Sequence, residues 1–193
     1  QFTDVGASSY AALTDTLTDA DVASLTTDLS DGYAILTDGK LGTFASVSSQ
    51  TTAPGATVAV SNPGRIVVTR VEGLTALTPG GFWGYARWST TPDGQVTQGF
   101  IMIDAAFERS SSPYKRSLRM HELGHALGCQ HVVGIPSVMN SAAQIEPNAF
   151  DRNAARIAML RPVGNRTPDI DPTGFAATTA SGITAAPLWH GAH

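Results

Sequence analysis

The 193-residue sequence predicts an α+β fold. Three observations predict it. A β-branched run and a hairpin signal occupy residues 65–104, two segments with helical apolar spacing follow, and hydrophobic residues make up 42 %, enough for a core.

From the N-terminus, residues 8–29 are expected to be helical, because Leu13 and Leu17, then Leu25 and Leu29, repeat at i, i+4 spacing. The intervening Thr residues weaken that helix, since a β-branched side chain loses rotamer freedom against the preceding turn. Residues 46–64 are rich in Ser, Thr, Pro and Gly and read as loop around one short strand at 57–60. The run RIVVTRV at 65–71 reads as a strand. FWGYARW at 82–88 and VTQGFIMID at 96–104 flank a Pro-Asp-Gly turn, which makes them a hairpin. The second strand ends in Phe100, Ile101, Met102 and Ile103 and should lie deeper, leaving the first as an edge. Ser112-Pro113 can open a helix that runs to Leu127 and stops at Gly128. A last helix is expected over 148–161, with Phe150, Ala154, Ile157 and Ala158 on one face and Pro162 ending it. Residues 165–193 are a Pro/Gly/Ala/Thr-rich tail, and no internal repeat is visible.

Charge narrows the function classes. The net charge is −4, charged residues are 15 %, and Lys40 and Lys115 are the only lysines. A nucleic-acid partner would need a basic stripe to neutralise phosphates, so none is expected. No apolar run reaches the roughly 20 residues that would span a bilayer, so no membrane partner is expected either. One cysteine, Cys129, rules out an intrachain disulfide. The start at Gln1 without Met suggests a processed N-terminus, and abundant Thr, Ala, Ser and Gly with scarce Lys suits an exported bacterial protein. A monomer is expected.

Three of the five histidines fall within the window His121–His131, HELGHALGCQH. On a helix His121 and His125 are about 400° apart, so both rings leave nearly the same side, one turn apart, and can hold one metal ion. Glu122 is rotated by about 100° and can reach a water on that metal instead of the metal itself. Gly128 permits a left-handed turn that ends the helix, and the returning chain lets His131 supply a third nitrogen. Three neutral imidazoles leave a fourth tetrahedral position open, as in a catalytic zinc site.

HELGHALGCQH matches the signature HExxHxxGxxH and resembles the metzincin clan of zinc endopeptidases. The tetrapeptide PSVM at 136–139 places Met139 eight residues after His131, similar to the Met-turn of matrixins. The resemblance covers about residues 65–161. It implies a twisted, mostly parallel sheet with an antiparallel edge strand, an active-site helix ending at Gly128, and a small C-terminal subdomain holding the Met-turn and the final helix. Residues 1–164 would then be one catalytic domain, divided into an upper part, 1–128, and a lower part, 129–164. Met139 would be a platform beneath the histidines. The departures are specific. Val132 stands where matrixins usually have Ser, and Asn140 and Ser141 follow the Met where some relatives place a Tyr ligand. No His precedes His121, so the matrixins' second, structural zinc is not expected. Calcium stays open through Asp and carbonyl oxygens, although no Asp-rich loop stands out.

The resemblance implies a secreted zinc-dependent endopeptidase with one catalytic zinc, His121, His125 and His131 as ligands and Glu122 as general base and then acid. A protein or peptide substrate would lie extended along the edge strand at 82–88, against a wall formed by residues 132–147. Trp83, Gly84, Tyr85 and Asn140 are the candidate cleft residues. Against this stand half-buried strand aromatics for Trp83, Tyr85 and Trp88, and a small buried side chain for Cys129. Asp151 reads as a first-turn carboxylate on the helix dipole. His190 and His193 could donate a ligand from a docked tail, or be solvated. Two other functions use the same residues: a zinc-bearing binding protein with a blocked cleft, and a hydrolase restricted to small peptides or amides.

Overall fold

A computed structural model describes residues 9–11, 17–49, 57–59, 62–78, 80–91 and 95–160. The tail at 165–193 with His190 and His193, the helix stop at Pro162 and the hairpin turn at 92–94 lie outside the described residues. In chain order the elements are β1 (Ser9–Ala11), α1 (Asp19–Leu36), β2 (Thr57–Ala59), β3 (Ile66–Val71) and α2 (Leu74–Leu77). They continue with β4 (Gly84–Thr90), β5 (Val96–Asp104), α3 (Ala105–Arg109), α4 (Lys115–Ala126) and α5 (Ala149–Leu160). The architecture is mixed α+β.

The first helix departs from the expected 8–29. Residues 9–11 pair antiparallel with β2, and the helix starts only after Thr18. The Thr18 hydroxyl accepts the Asp21 N–H at 3.2 Å, and the Asp21 carboxylate accepts the Thr18 N–H at 2.9 Å. This reciprocal box satisfies two backbone donors and sets the start more firmly than leucine spacing does. The helix then continues to Leu36, burying Leu25, Leu29 and Leu36 along one face.

β3, β5 and β4 form a three-stranded sheet in that order. The short connection forces β4 antiparallel to β5, whereas β3 runs parallel to it. With one pairing of each kind, this sheet is mixed and not mostly parallel. The hairpin strands fall where the sequence put them, with β5 in the centre and buried from Gly99 onward. Side chains alternate across the sheet. Ile66, Val68, Ala86, Ile101 and Ile103 face α1 and α4, while Val67, Val71, Tyr85, Phe100 and Met102 gather around Leu74 on the other face.

α4 is the central helix, with Met120 and Leu123 fully enclosed. Its buried Arg119 donates from Nε to Glu108 at 3.0 Å, from a second nitrogen to the other Glu108 oxygen, and to Asp28 at 2.6 Å and Ser24 at 2.8 Å. Burial opposes the charge on Arg119, but the bonds and charges of Glu108 and Asp28 outweigh it and raise its pKa. The network ties α1 and α3 to the helix that carries the histidines.

The α5 face is turned from the expected one. Asp151, Ala155, Ala158 and Met159 are buried, and Ile157 is 58 % exposed. The reason is tertiary: Asp151 is bonded to Ser137 and Val138 and sets the rotation of the helix. Among the described residues no helix is long and apolar enough to cross a membrane.

Candidate metal centre

Helix α4 carries His121 and His125 one turn apart and ends as its glycine predicts. Gly128 sits at φ +93°. The Cys129 N–H donates to the Gly124 carbonyl and the Gly128 N–H to the His125 carbonyl, each at 2.8 Å. These two bonds are the Schellman closure, which needs a left-handed residue and so favours Gly. The reversal brings His131 back to the helix.

The three Nε2 atoms converge. His121 to His125 is 3.1 Å, His125 to His131 is 3.1 Å, and His131 to His121 is 3.3 Å. Imidazole nitrogens about 2.0–2.1 Å from one tetrahedral ion lie about 3.4 Å apart, so the triad fits a single ion closely. The opposite ring nitrogens fix the tautomers. His121 Nδ1–H donates to the Val138 carbonyl and His125 Nδ1–H to the Cys129 carbonyl, both at 2.8 Å. Each Nε2 of that pair is then a lone-pair donor to a cation. Burial first, and then the neighbouring His125, hold His121 down to about 3. Burial likewise holds His125 down to about 4. Both rings are therefore neutral at neutral pH, the form that binds metal. His121 is buried and His131 exposed, so the group is closed at the back and open to solvent at the front.

Glu122 stands outside the ligand group. Its carboxylate lies against β4, where a Cβ on Gly84 would come within 2.2 Å of Oε1. Its Oε2 is buried and has no hydrogen-bond partner among the described residues. Burial pushes its pKa up to about 8. An unpaired buried oxygen costs free energy and needs an explanation in what the site does.

Comparisons with protein-family models, with curated proteins and with solved structures return no match. The geometry of the three histidines stands on its own: they can hold a metal ion.

The remaining sequence candidates divide. Met139 is buried against α4, where a Cβ on Gly124 would lie 2.3 Å from its sulfur. Its carbonyl accepts the Val132 N–H at 2.9 Å, closing the loop after His131. Gly84 is the hollow for Glu122. Tyr85 points to the opposite face of the sheet from Glu122, packed on the Leu74 cluster, because strand alternation separates it from Gly84. Trp83 stacks on Phe107 with ring centroids 4.8 Å apart. Asn140 is committed to its own loop: its amide donates to the Val132 carbonyl at 2.6 Å and the Ile135 carbonyl at 3.0 Å, and its oxygen accepts the Ser137 N–H at 3.0 Å. Its amide and its oxygen therefore brace the loop after His131. Burial, with Asp151 adding its charge, pushes the Cys129 thiol up to about 12, which keeps it a neutral packing group. Sequence reasoning missed Asp151 as a partner of the Met139 turn. A first-turn acid on a final helix gives no local sign that it bonds to a loop 13 residues earlier.

Proposed function

We propose that this chain is a secreted zinc-dependent endopeptidase of the metzincin type. The observation that carries the reading is a buried carboxylate with an unpartnered oxygen, Glu122, on the same helix as two of three converging imidazole nitrogens. His121, His125 and His131 would hold the ion. Bound zinc would supply a polarised water and a Lewis acid for the scissile carbonyl.

The other roles belong to the chain. The Val138 and Cys129 carbonyls hold two rings in the tautomer that leaves Nε2 free. Glu122 takes a proton from the attacking water as the new C–O bond forms, then returns it to the leaving nitrogen as the C–N bond breaks. Burial raises the Glu122 carboxyl toward the neutral range, where one group can both accept a proton and return it. The edge of β4 away from β5 has no strand partner among the described residues, and an extended peptide can add main-chain hydrogen bonds there.

The test is cleavage of a denatured protein and of a peptide library, with and without chelator, beside metal analysis. Cleavage should stop with chelator. Glu122→Ala should lose turnover while keeping about one ion per chain, as a ligand set of three histidines requires. Turnover indifferent to chelator, or kept by Glu122→Ala, overturns the reading. Bound metal without cleavage would support the non-cleaving alternative.

A further inference from the structure

Behind the histidines runs a hydrogen-bond chain with every donor pointing the same way. His121 Nδ1–H donates to the Val138 carbonyl at 2.8 Å. The amide of that same peptide unit, the Met139 N–H, donates to Ser137 Oγ at 3.0 Å. The Ser137 hydroxyl donates to Asp151 Oδ1 at 2.5 Å. Asp151 is 4 % exposed, and its Oδ2 also accepts the Val138 N–H at 3.1 Å and the Asn148 N–H at 2.9 Å.

Two physical consequences follow. Successive bonds of one direction polarise one another, so an anion at one end enriches the acceptor at the other. A metal-bound imidazole whose second N–H meets a better acceptor is a better ligand and a more firmly oriented one. Asparagine could not replace Asp151 here, because an amide has one acceptor oxygen and its nitrogen only donates.

We infer that Asp151 and Ser137 are positioning residues for the metal centre, relaying the Asp151 charge through the Ser137 hydroxyl and the 138–139 peptide to His121. The inference rests on the proposed metal binding at the triad and extends it to residues 16 and 30 positions along the chain from His121.

The test compares Ser137→Ala, Asp151→Asn and the double variant with wild type, and with Ala155→Gly as a control that loosens buried α5 without touching the relay. Zinc affinity is read by chelator competition, the visible spectrum of the cobalt(II)-substituted protein reports ligand geometry, and melting of the metal-free chain reports stability. Ser137→Ala and Asp151→Asn should each weaken zinc about 10–100-fold and shift the cobalt spectrum. The double variant should be no weaker than the weaker single, because both break one relay. Ala155→Gly should lower stability with affinity and spectrum unchanged. Wild-type affinity in both relay variants, additive losses, or an equal affinity loss in Ala155→Gly would overturn the inference. If Asp151→Asn fails to fold, Ser137→Ala against the control decides the matter. A wild-type chain that binds no zinc ends the underlying reading, and the inference with it.

Discussion

At the scale of single residues, Glu122 and Gly84 form a matched pair. The helix presents the carboxylate and the strand removes its own side chain to admit it. Gly84→Ala would place a methyl 2.2 Å from Oε1, so the Glu122 side chain must rotate away while the histidines keep their places. Misplacing a reacting group by about 1 Å costs about 100-fold in rate. The expected result is a fall in kcat of that order with metal content unchanged, read by steady-state kinetics beside metal analysis. Wild-type kcat would mean that Glu122 does not need its present position. Glu122 also makes stability depend on pH. Its folded pKa of about 8 lies above the ordinary 4.5, so its contribution is fully present below 4.5 and lost as pH rises through 8. Glu122→Gln carries no such loss. In chelator, the variant should melt increasingly above wild type as pH climbs from 4.5 to 8, by several degrees at the upper end. A gap that stays constant with pH would remove burial of a charge as its cause.

At the scale of elements, α4 is held to α1 and α3 by Arg119. Its partner Glu108 has a side chain only 2 % exposed. Removing one member of a buried pair strands the other, which costs about 3–5 kcal/mol, whereas replacing both by apolar groups is often neutral. Arg119→Met should therefore lose stability of that order in urea denaturation, and adding Glu108→Met should recover most of it. A loss below about 1 kcal/mol, typical of an exposed pair, would contradict the described burial. This network was illegible in the sequence, because its members lie 11 and 91 residues apart. The elements themselves were legible where one local rule acted alone. β3 and β5 followed from β-branched and apolar runs, and the end of α4 from Gly128. Where two rules compete, the more conspicuous signal is not the one that decides. Leucine spacing masked the Thr18 box at the start of α1. Ser112-Pro113 yields a turn, with Ser112 Oγ accepting the Tyr114 N–H at 3.2 Å, and the helix proper starts at Lys115. The histidine triad was readable because i, i+4 spacing and one glycine determine it. The surroundings of Tyr85 and Asn140 were not, because they depend on strand alternation and loop closure.

At the scale of the whole molecule, binding and folding are one equilibrium, because the triad is assembled from α4 and the chain returning after Gly128. An ion that binds only the folded chain adds about 2.7 kcal/mol at a hundredfold excess over Kd. For a chain of this size that is about 5–10 °C in Tm. Acid should erode this gain in a particular way. Metal ligands must be deprotonated, so each imidazole that titrates adds one proton to the competition. Burial has already taken His121 to about 3 and His125 to about 4, below the ordinary 6.5. The unfolded chain takes up those protons first, so the metal-free fold itself loses stability as pH falls from 6.5 toward 4. The folded site leaves both rings essentially unprotonated until the pH nears 4. Between pH 6.5 and about 5, the logarithm of metal affinity should therefore fall with a slope well below three, the value that three ordinary imidazoles would approach. Competition titrations across this range measure the slope directly. A value near three would mean that His121 and His125 are solvated, and the closed back of the site, on which Glu122 and the Asp151 relay both depend, would be lost with it.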